Sequence, residues 1–579
     1  MNRKPYSGPK RRLVLAFDLG TTFSGVSYAI LDPGKVPNIQ TVARYPGQEA
    51  GDLKIPTIIY YDALGNALAM GAEAPPVNDE DEDDTEESKP TKLEWFKLLM
   101  RPKGATVPEG IPRHCGRYAD FYRYLFDRAK EYICQTHASK ELFWKSVEGD
   151  IDFVLSHPNG WEGPQQGKMR KAAIQAGLIP DTPEGHARIT FVTEGEASFH
   201  YCISSGKVSD VIKAGNNVMV IDAGGGTVDI STYTFSEASP LKIKEIATPE
   251  GVFEGSVMIK TRFTKHITAK LRNSRFGTQA YVDDMSDKFD EGPKKRFKGV
   301  DASHIKFSSS IADKDIAVGI RNGQIKVSAF FDPGVEAIIE VIKAQQKETA
   351  PSTVSTYFLV GGFSASEYLY KKLNAYLNDE GLRLFRPDNN ANKAVADGAV
   401  SFHIDRFVST RLVKLTYGSD GARMFMPWVP SHRERASRVL VGLDGIPCIP
   451  GSFESIVHKA SIMTGTEVAE KTTYEETFQA CSIIKDNLNT IECDIICYRG
   501  DGIPEFMDED PDSFSNLCKV SADLSAVPKK EIYGPRGRYY KQTISVVLEL
   551  GLTELKAHLA WEHKHRGPAT IVYDDDSDI

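Results

Sequence analysis

Cysteine is scarce in this chain of 579 residues: there are eight, scattered, with no Cys-x-x-Cys pair. That excludes a disulfide framework, and no paired-cysteine zinc site can be drawn. The two nearest, Cys493 and Cys497, are spaced to share one face of a strand and read as reduced core thiols. Long apolar runs are also missing, so no segment has the length of a membrane span. The cationic start leads only into Leu13–Phe17 and then meets Asp18, which does not read as a secretory leader. These absences predict a soluble protein of the cytoplasm, with the nucleus as the alternative. A formal net charge of -9 argues against extended nucleic-acid binding. Two common phosphate loops are absent as well. Gly163-Pro-Gln-Gln-Gly167-Lys168-Met169 is one residue short of a P-loop and has no Ser/Thr, and no Gly-x-Gly-x-x-Gly follows a strand.

What is present is ordinary globular material, 41% hydrophobic and 26% charged, and long enough for more than one domain. Charge is clustered. Arg3, Lys4, Lys10, Arg11 and Arg12 open the chain, Asp79–Glu87 is acidic except at Thr85, and Asp574, Asp575, Asp576 and Asp578 lie near its end. Such blocks read as solvated tails or loops.

Two segments share one local grammar. Leu13-Val-Leu-Ala-Phe-Asp18-Leu-Gly20-Thr21-Thr22-Phe23 continues into an alternating strand to Leu31. Asn217-Val-Met-Val-Ile-Asp222-Ala-Gly224-Gly225-Gly226-Thr227-Val228-Asp229 continues likewise to Phe235. Each predicts a buried strand, an aspartate, a tight Gly/Thr turn and a returning strand. The spacing between the copies predicts two related subdomains rather than a solenoid. A helix over Lys168–Gly177, a strand over Arg188–Thr193 ending on Glu194, and a strand Thr356–Val360 running into Gly361-Gly362 predict an α/β domain. Leu369, Leu373 and Leu377 predict a helix over Ser366–Leu377. Beyond about residue 405 short β-rich runs take over: 438–443, 453–457, 490–498, 539–550 and 569–573. Leu552–Trp561 fits either a strand or a helix.

A Gly/Thr turn aims backbone amides and hydroxyls at one point, and glycine lets the chain approach phosphate oxygens. The adjoining aspartate suits a hydrated Mg²⁺, which takes few carboxylates plus phosphates. Two facing turns could clamp one metal-triphosphate. One hairpin alone would read as an ordinary turn; two in register favour the phosphate reading.

Asp18-Leu-Gly-Thr-Thr-Phe23, Asp222-Ala-Gly-Gly-Gly-Thr-Val-Asp229 and Phe358-Leu-Val-Gly-Gly-Phe363 resemble the two phosphate motifs and the adenosine motif of the heat-shock protein 70 family. The resemblance covers roughly residues 13–403, and the ending Arg566–Tyr573 resembles the divergent, lidless member-12 branch. It implies an actin-like ATPase domain of two duplicated ribonuclease-H-like subdomains over 13–405, with an acidic loop at 78–90. The charge block and the β-rich runs set a basic tail over 1–12 and a β-rich C-terminal domain over 406–579, which the resemblance implies binds peptide or a partner. The resemblance also implies ATP/ADP and Mg²⁺ as ligands, slow ATP hydrolysis, and extended or unfolded peptide segments and co-chaperones as partners. Residue by residue, Asp18 and Asp222 match the Mg²⁺ carboxylates; Gly20, Thr21, Thr22 and Phe23 the first phosphate turn; Gly224, Gly225, Gly226 and Thr227 the second. Glu194 matches the glutamate that orients water or metal, and Lys97 the lysine that reaches the γ-phosphate. Gly255 stands at the family's glycine pair; Glu291, Lys294, Lys295 and Lys298 match the helix bracketing adenine and ribose; Gly361, Gly362 and Phe363 match the adenosine turn.

Departures stand beside these matches. Glu254-Gly255-Ser256 replaces the glycine pair, and Asn392 replaces an aspartate before Ala394-Val-Ala-Asp-Gly-Ala399. The linker Arg406–Lys414 is mixed and basic rather than leucine-rich, and no charged helical lid follows. They keep two alternatives open: a nucleotide-gated binding or scaffold protein with little hydrolysis, and a small-molecule kinase of the same fold.

Overall fold

The computed structural model describes residues 3–48, 51–73, 90–101, 117–161, 163–206, 208–299, 303–327, 330–387, 393–464, 472–550, 555–561, 565–566 and 570–572. The acidic stretch Asp79–Glu87, Asn392 and the tail 574–578 lie outside them. The chain divides into two compact units, one of residues 1–161 and 168–407, the other of 162–167 and 408–578.

Two sheets organise the first unit. In one, Arg12–Asp18 is central, antiparallel to Phe23–Leu31 and parallel to Ile151–His157. Ile39–Thr41 flanks the hairpin on one side, and Ile189–Thr193 lies parallel beyond Ile151–His157 on the other. Alternation explains why Arg12–Asp18 is apolar almost throughout. Leu13, Leu15 and Phe17 face a cluster with Phe153 and the helix Arg117–Thr136, which contributes Phe121, Tyr122 and Leu125. Val14 and Ala16 face the opposite cluster, with Val154, Val192, Ala399 and Phe402. A strand covered on both faces cannot alternate with polar residues.

The second sheet repeats the plan. Asn217–Ala223 is antiparallel to Val228–Ala238 and parallel to Thr356–Val360. Leu241–Val252 extends the hairpin side, and Arg383–Phe385 extends the parallel side. Met219, Ile221 and Ile230 pack against three helices, Ser256–Leu271, Asp332–Glu348 and Glu367–Asp379. Leu369, Leu373 and Leu377 are all buried there, as their spacing predicts. The helix Ala394–Asp405 crosses Glu194–Ser204 very closely: a Cβ on Gly398 would lie 1.7 Å from the Ala197 carbonyl oxygen.

The basic start is not a solvated tail. Arg3 Nε lies 2.9 Å from an Asp405 carboxylate oxygen, Arg11 pairs with Asp32, and Arg12 pairs with Asp152. Each cation meets an acid on the folded surface of its own unit.

The second unit is built of antiparallel strands. One sheet orders Leu440–Val441, Pro447–Val457, Thr416–Met424, Thr490–Tyr498, Phe514–Asp523 and Thr570–Val572. The other orders Thr472–Ser482, Gly537–Leu550, Leu555–Trp561 and His565–Arg566, with Lys530–Gly534 also paired to Gly537–Leu550. Tyr417, Ile495 and Val520 of the first share a core with Ile544, Val546 and Leu559 of the second. Leu555–Trp561 is therefore a strand, and its alternation, not its helical spacing, decided the outcome. The run 438–443 yields only the two-residue strand Leu440–Val441, whose side chains are both exposed, so no core draws the rest into the sheet. Cys497 is buried and Cys493 half-buried; every cysteine among the described residues is a free thiol.

Candidate functional site

In both hairpins the aspartate lies at the end of the first strand or one residue before it, paired across the turn: Asp18 with Gly25, Asp222 with Asp229. The turns approach each other closely. A Cβ on Gly225 would lie 2.4 Å from Thr22 Oγ1, and one on Gly226 would lie 2.4 Å from Thr21 Oγ1. Only residues without side chains fit at that approach. The second turn is also braced from behind. The amides of Gly255, Ser256 and Val257 donate to the carbonyls of Gly226, Gly224 and Gly225 at 3.2, 3.2 and 2.9 Å. The start of the helix Ser256–Leu271 is thus spent on the turn.

The turns open onto a cavity of about 780 Å³ within the first unit, in the range of sites that enclose a small organic ligand. Gly20, Thr21, Thr22 and Phe23 line it from one side, and Gly224, Gly225, Gly226 and Thr227 from the other. Asp18, Lys97, Glu194 and Asp222 meet at its floor. Gly361, Gly362 and Phe363 form a further wall, with Glu291, Lys294 and Lys295 at the same cavity. Gly361 has φ +84°, and a Cβ there would lie 2.3 Å from Asp222 Oδ1, so the Gly361-Gly362 turn presses on the second aspartate.

Two expected residues fall elsewhere. Gly255 is not on the cavity wall. It backs the second turn, where a Cβ would lie 2.4 Å from the Gly225 carbonyl oxygen. Lys298 is exposed and off the wall, because the short helix Pro293–Arg296 ends before it. The neighbouring Glu254 is held by Arg262.

The floor concentrates buried charge. Asp18, Asp222 and Lys97 are 2%, 3% and 3% exposed. Lys97 donates to Glu194, its partner across the floor. Burial opposes the Lys97 charge, but Glu194, with Asp18 and Asp229, overrides this and raises its pKa above that of an ordinary lysine. Burial pushes the Asp222 carboxyl up to about 8, with the charge of Glu194 adding to the push; Ser198, which donates to it, restrains the rise. Asp229 is likewise pushed upward, by burial first and by Glu194 second. It accepts from Thr227 Oγ1 at 2.8 Å and from the Asn159 amide. Such a floor, crowded with carboxylates, is suited to a cation.

No protein-family model matches the chain. Individual proteins do. Human heat shock 70 kDa protein 12A is 25% identical over 497 residues, covering 70% of this chain and 71% of its own. Mouse heat shock 70 kDa protein 12A matches to the same extent. Human heat shock 70 kDa protein 12B is 24% identical over 549 residues, covering 79% of this chain and 77% of its own. The chain is similar to the heat shock 70 kDa proteins 12A and 12B over most of its length.

Several residues at the site carry no role in the motifs as read from sequence. Asp229 closes the second motif and sits beneath the turn. Asn159 Nδ2 bridges the Ile230 carbonyl at 3.1 Å and Ser231 Oγ at 3.0 Å, tying the loop after Ile151–His157 to the second hairpin. Trp95 lines the cavity with the Lys260 ammonium 5.6 Å from its ring centroid. Lys54 lies 2.6 Å from Asp18 Oδ2. Of these, only Asp229 stood in a motif; the others come together through tertiary contacts.

Proposed function

We propose that the first unit binds ATP or ADP with Mg²⁺ in this cavity and slowly hydrolyses ATP. The observation that carries the reading is the close facing of the two Gly/Thr turns, each with a buried aspartate in the last two residues of the strand before it. A triphosphate would lie between them, its oxygens met by backbone amides and by the Thr21 and Thr227 hydroxyls. The base would lie toward Gly361, Gly362 and Phe363, with the aliphatic stems of Lys294 and Lys295 beside it.

The residues on the floor fit a hydrated divalent ion. Asp18 Oδ2 is buried without a hydrogen bond. Among the described residues no group of three His, Cys, Asp or Glu is arranged to take a metal, so water and phosphate would complete its shell. Bound there, Mg²⁺ would neutralise phosphate charge. The chain's own residues do the remaining work. Lys97 presents a positive charge held high by Glu194. Glu194, at the first turn of a helix capped by Thr193, is placed to accept a hydrogen bond from an attacking water.

A second reading has a specific basis. Lys97 and Glu194 are engaged with each other, so each must be released before it can act on phosphate or water. That favours binding with little turnover. Calorimetry with ATP, ADP and Mg²⁺, paired with a phosphate-release assay, separates the two readings. Absence of any binding heat for either nucleotide refutes both.

For the second unit we propose a peptide- or partner-binding role. Thr472–Ser482 pairs on one side with Gly537–Leu550, and among the described residues no strand pairs with its other side. An extended segment could add there by strand pairing. Coupling of this event to nucleotide state would make the protein chaperone-like.

A further inference from the structure

Lys54 stands in the cavity for reasons built into three neighbouring strands. Ile55–Pro56 runs antiparallel to Phe23–Leu31, pairing Ser24 with Ile55 and Phe23 with Pro56. Continuing that register sets Lys54 opposite Gly25, and Gly25 is itself paired with Asp18. The segment is fastened to the first turn: the Thr57 amide donates to the Thr22 carbonyl at 2.9 Å, and Ser24 Oγ and Thr57 Oγ1 share a hydrogen bond of 2.7 Å. Gly25 leaves room for the lysine stem. A Cβ there would lie 3.1 Å from Lys54 Cγ and 3.8 Å from Cε. The side chain therefore runs over Gly25 and delivers its ammonium to Asp18 Oδ2 at 2.6 Å. The contact is an ion pair without hydrogen-bond alignment, since Oδ2 has no hydrogen-bond partner. An ammonium with three donors and one poorly aligned acceptor keeps its bonding capacity for another anion.

Three other cations on the wall are committed. Lys97 donates to Glu194, Lys294 to Asp290, and Lys260 to Asp287 at 2.7 Å. Lys54 alone among these four sits against an aspartate that ends one of the two hairpin strands. We propose that Lys54 is a built-in counter-ion for the terminal phosphate of the nucleotide, so that the cavity holds a nucleoside triphosphate without a divalent cation. This rests on the nucleotide-binding reading above and adds to it a weak metal dependence of binding. The Asp18 carboxylate holds the ammonium in place, and the first turn supplies the amides on the other side of the same phosphate. A charged hydrogen bond inside a buried cleft is stronger than a neutral one.

The test is calorimetric titration of ATP into the full chain, once with Mg²⁺ and once with EDTA. The wild type is expected to bind in both, with affinity in EDTA within roughly tenfold of that in Mg²⁺. Lys54→Met is expected to lose about tenfold or more in EDTA, the weight of one charge-assisted hydrogen bond, and much less in Mg²⁺. Lys54→Arg is expected to restore most of the EDTA affinity. Thermal unfolding of each variant checks that it folds, and the wild-type comparison needs no variant at all. Binding in Mg²⁺ with none in EDTA overturns the role of Lys54 and leaves the nucleotide reading standing. Equal losses for Lys54→Met in both buffers also overturn it. No binding in either buffer removes both readings.

Discussion

Thr21 and Gly226 belong to different hairpins, yet a Cβ on Gly226 would lie only 2.4 Å from Thr21 Oγ1. The spacing leaves no room for a side chain between the turns. Gly226→Ala should therefore force the turns apart and weaken ATP binding by roughly tenfold or more, while core stability falls by no more than about 1 kcal/mol. Calorimetry and thermal unfolding on the same samples check both parts. Unchanged affinity would contradict the clamp.

Asp222→Asn should separate stability from function. The folded Asp222 carboxyl titrates at about 8, raised mainly by burial, whereas in the unfolded chain it titrates near 4. Its contribution to stability is fully present below about pH 4 and is lost as pH rises through about 8. The asparagine variant escapes that loss. It should melt higher than the wild type at pH 8 without nucleotide, with the gap closing toward pH 5. Each tenfold difference in proton affinity between the folded and unfolded chain is worth about 1.4 kcal/mol, so a gap of several degrees is expected. ATP turnover should fall by about 10² or more.

The same titration predicts proton release. Holding a hydrated cation requires ionised Asp222, so Mg-ATP should bind more tightly as pH rises from about 6 to about 8 and level off above. Calorimetry in buffers of different ionisation enthalpy reads the released proton directly. Tighter binding at pH 6 than at pH 8 would contradict the assignment of Asp222.

Lys97 and Glu194 should prove coupled in stability. Lys97→Met leaves Glu194 buried among like charges and should cost about 3 kcal/mol. Glu194→Gln alone should cost less, because Lys97 retains Asp18 and Asp229 nearby. The double variant should recover much of the Lys97→Met loss. Additive changes in melting temperature would show that the pair is not energetically linked.

Much of the framework was legible because its signals are local. The strand Asn217–Ala223, the turn after it and the strand Thr356–Val360 announce themselves by an apolar run, an aspartate and glycines. Leu369, Leu373 and Leu377 needed only helical spacing. The misses share a different cause. Lys54 reaches Asp18 through the register of three strands, and nothing within a few residues of Lys54 carries that information. Asn159 acts on a hairpin some seventy residues further along the chain, with its amide hydrogen-bonded to Asp229. Gly255 stands at the family's glycine pair by resemblance alone; in the fold its lack of a side chain accommodates the carbonyls of Gly225 and Gly226. The basic start looked like a tail because its acidic partners Asp32, Asp152 and Asp405 are distant in sequence.

The ion pair between Arg3 and Asp405 has a topological meaning. It joins the beginning of the first unit to the last residue of the helix Ala394–Asp405, close to where that unit ends at Phe407. The first and last segments of the unit are thus held side by side. Ends held side by side can be joined: closing them and opening the unit at the exposed Gly34 turn would leave the strands paired to Arg12–Asp18 and Asn217–Ala223 in place. Chain order, which separates the two hairpins so widely, is incidental to the cavity they build.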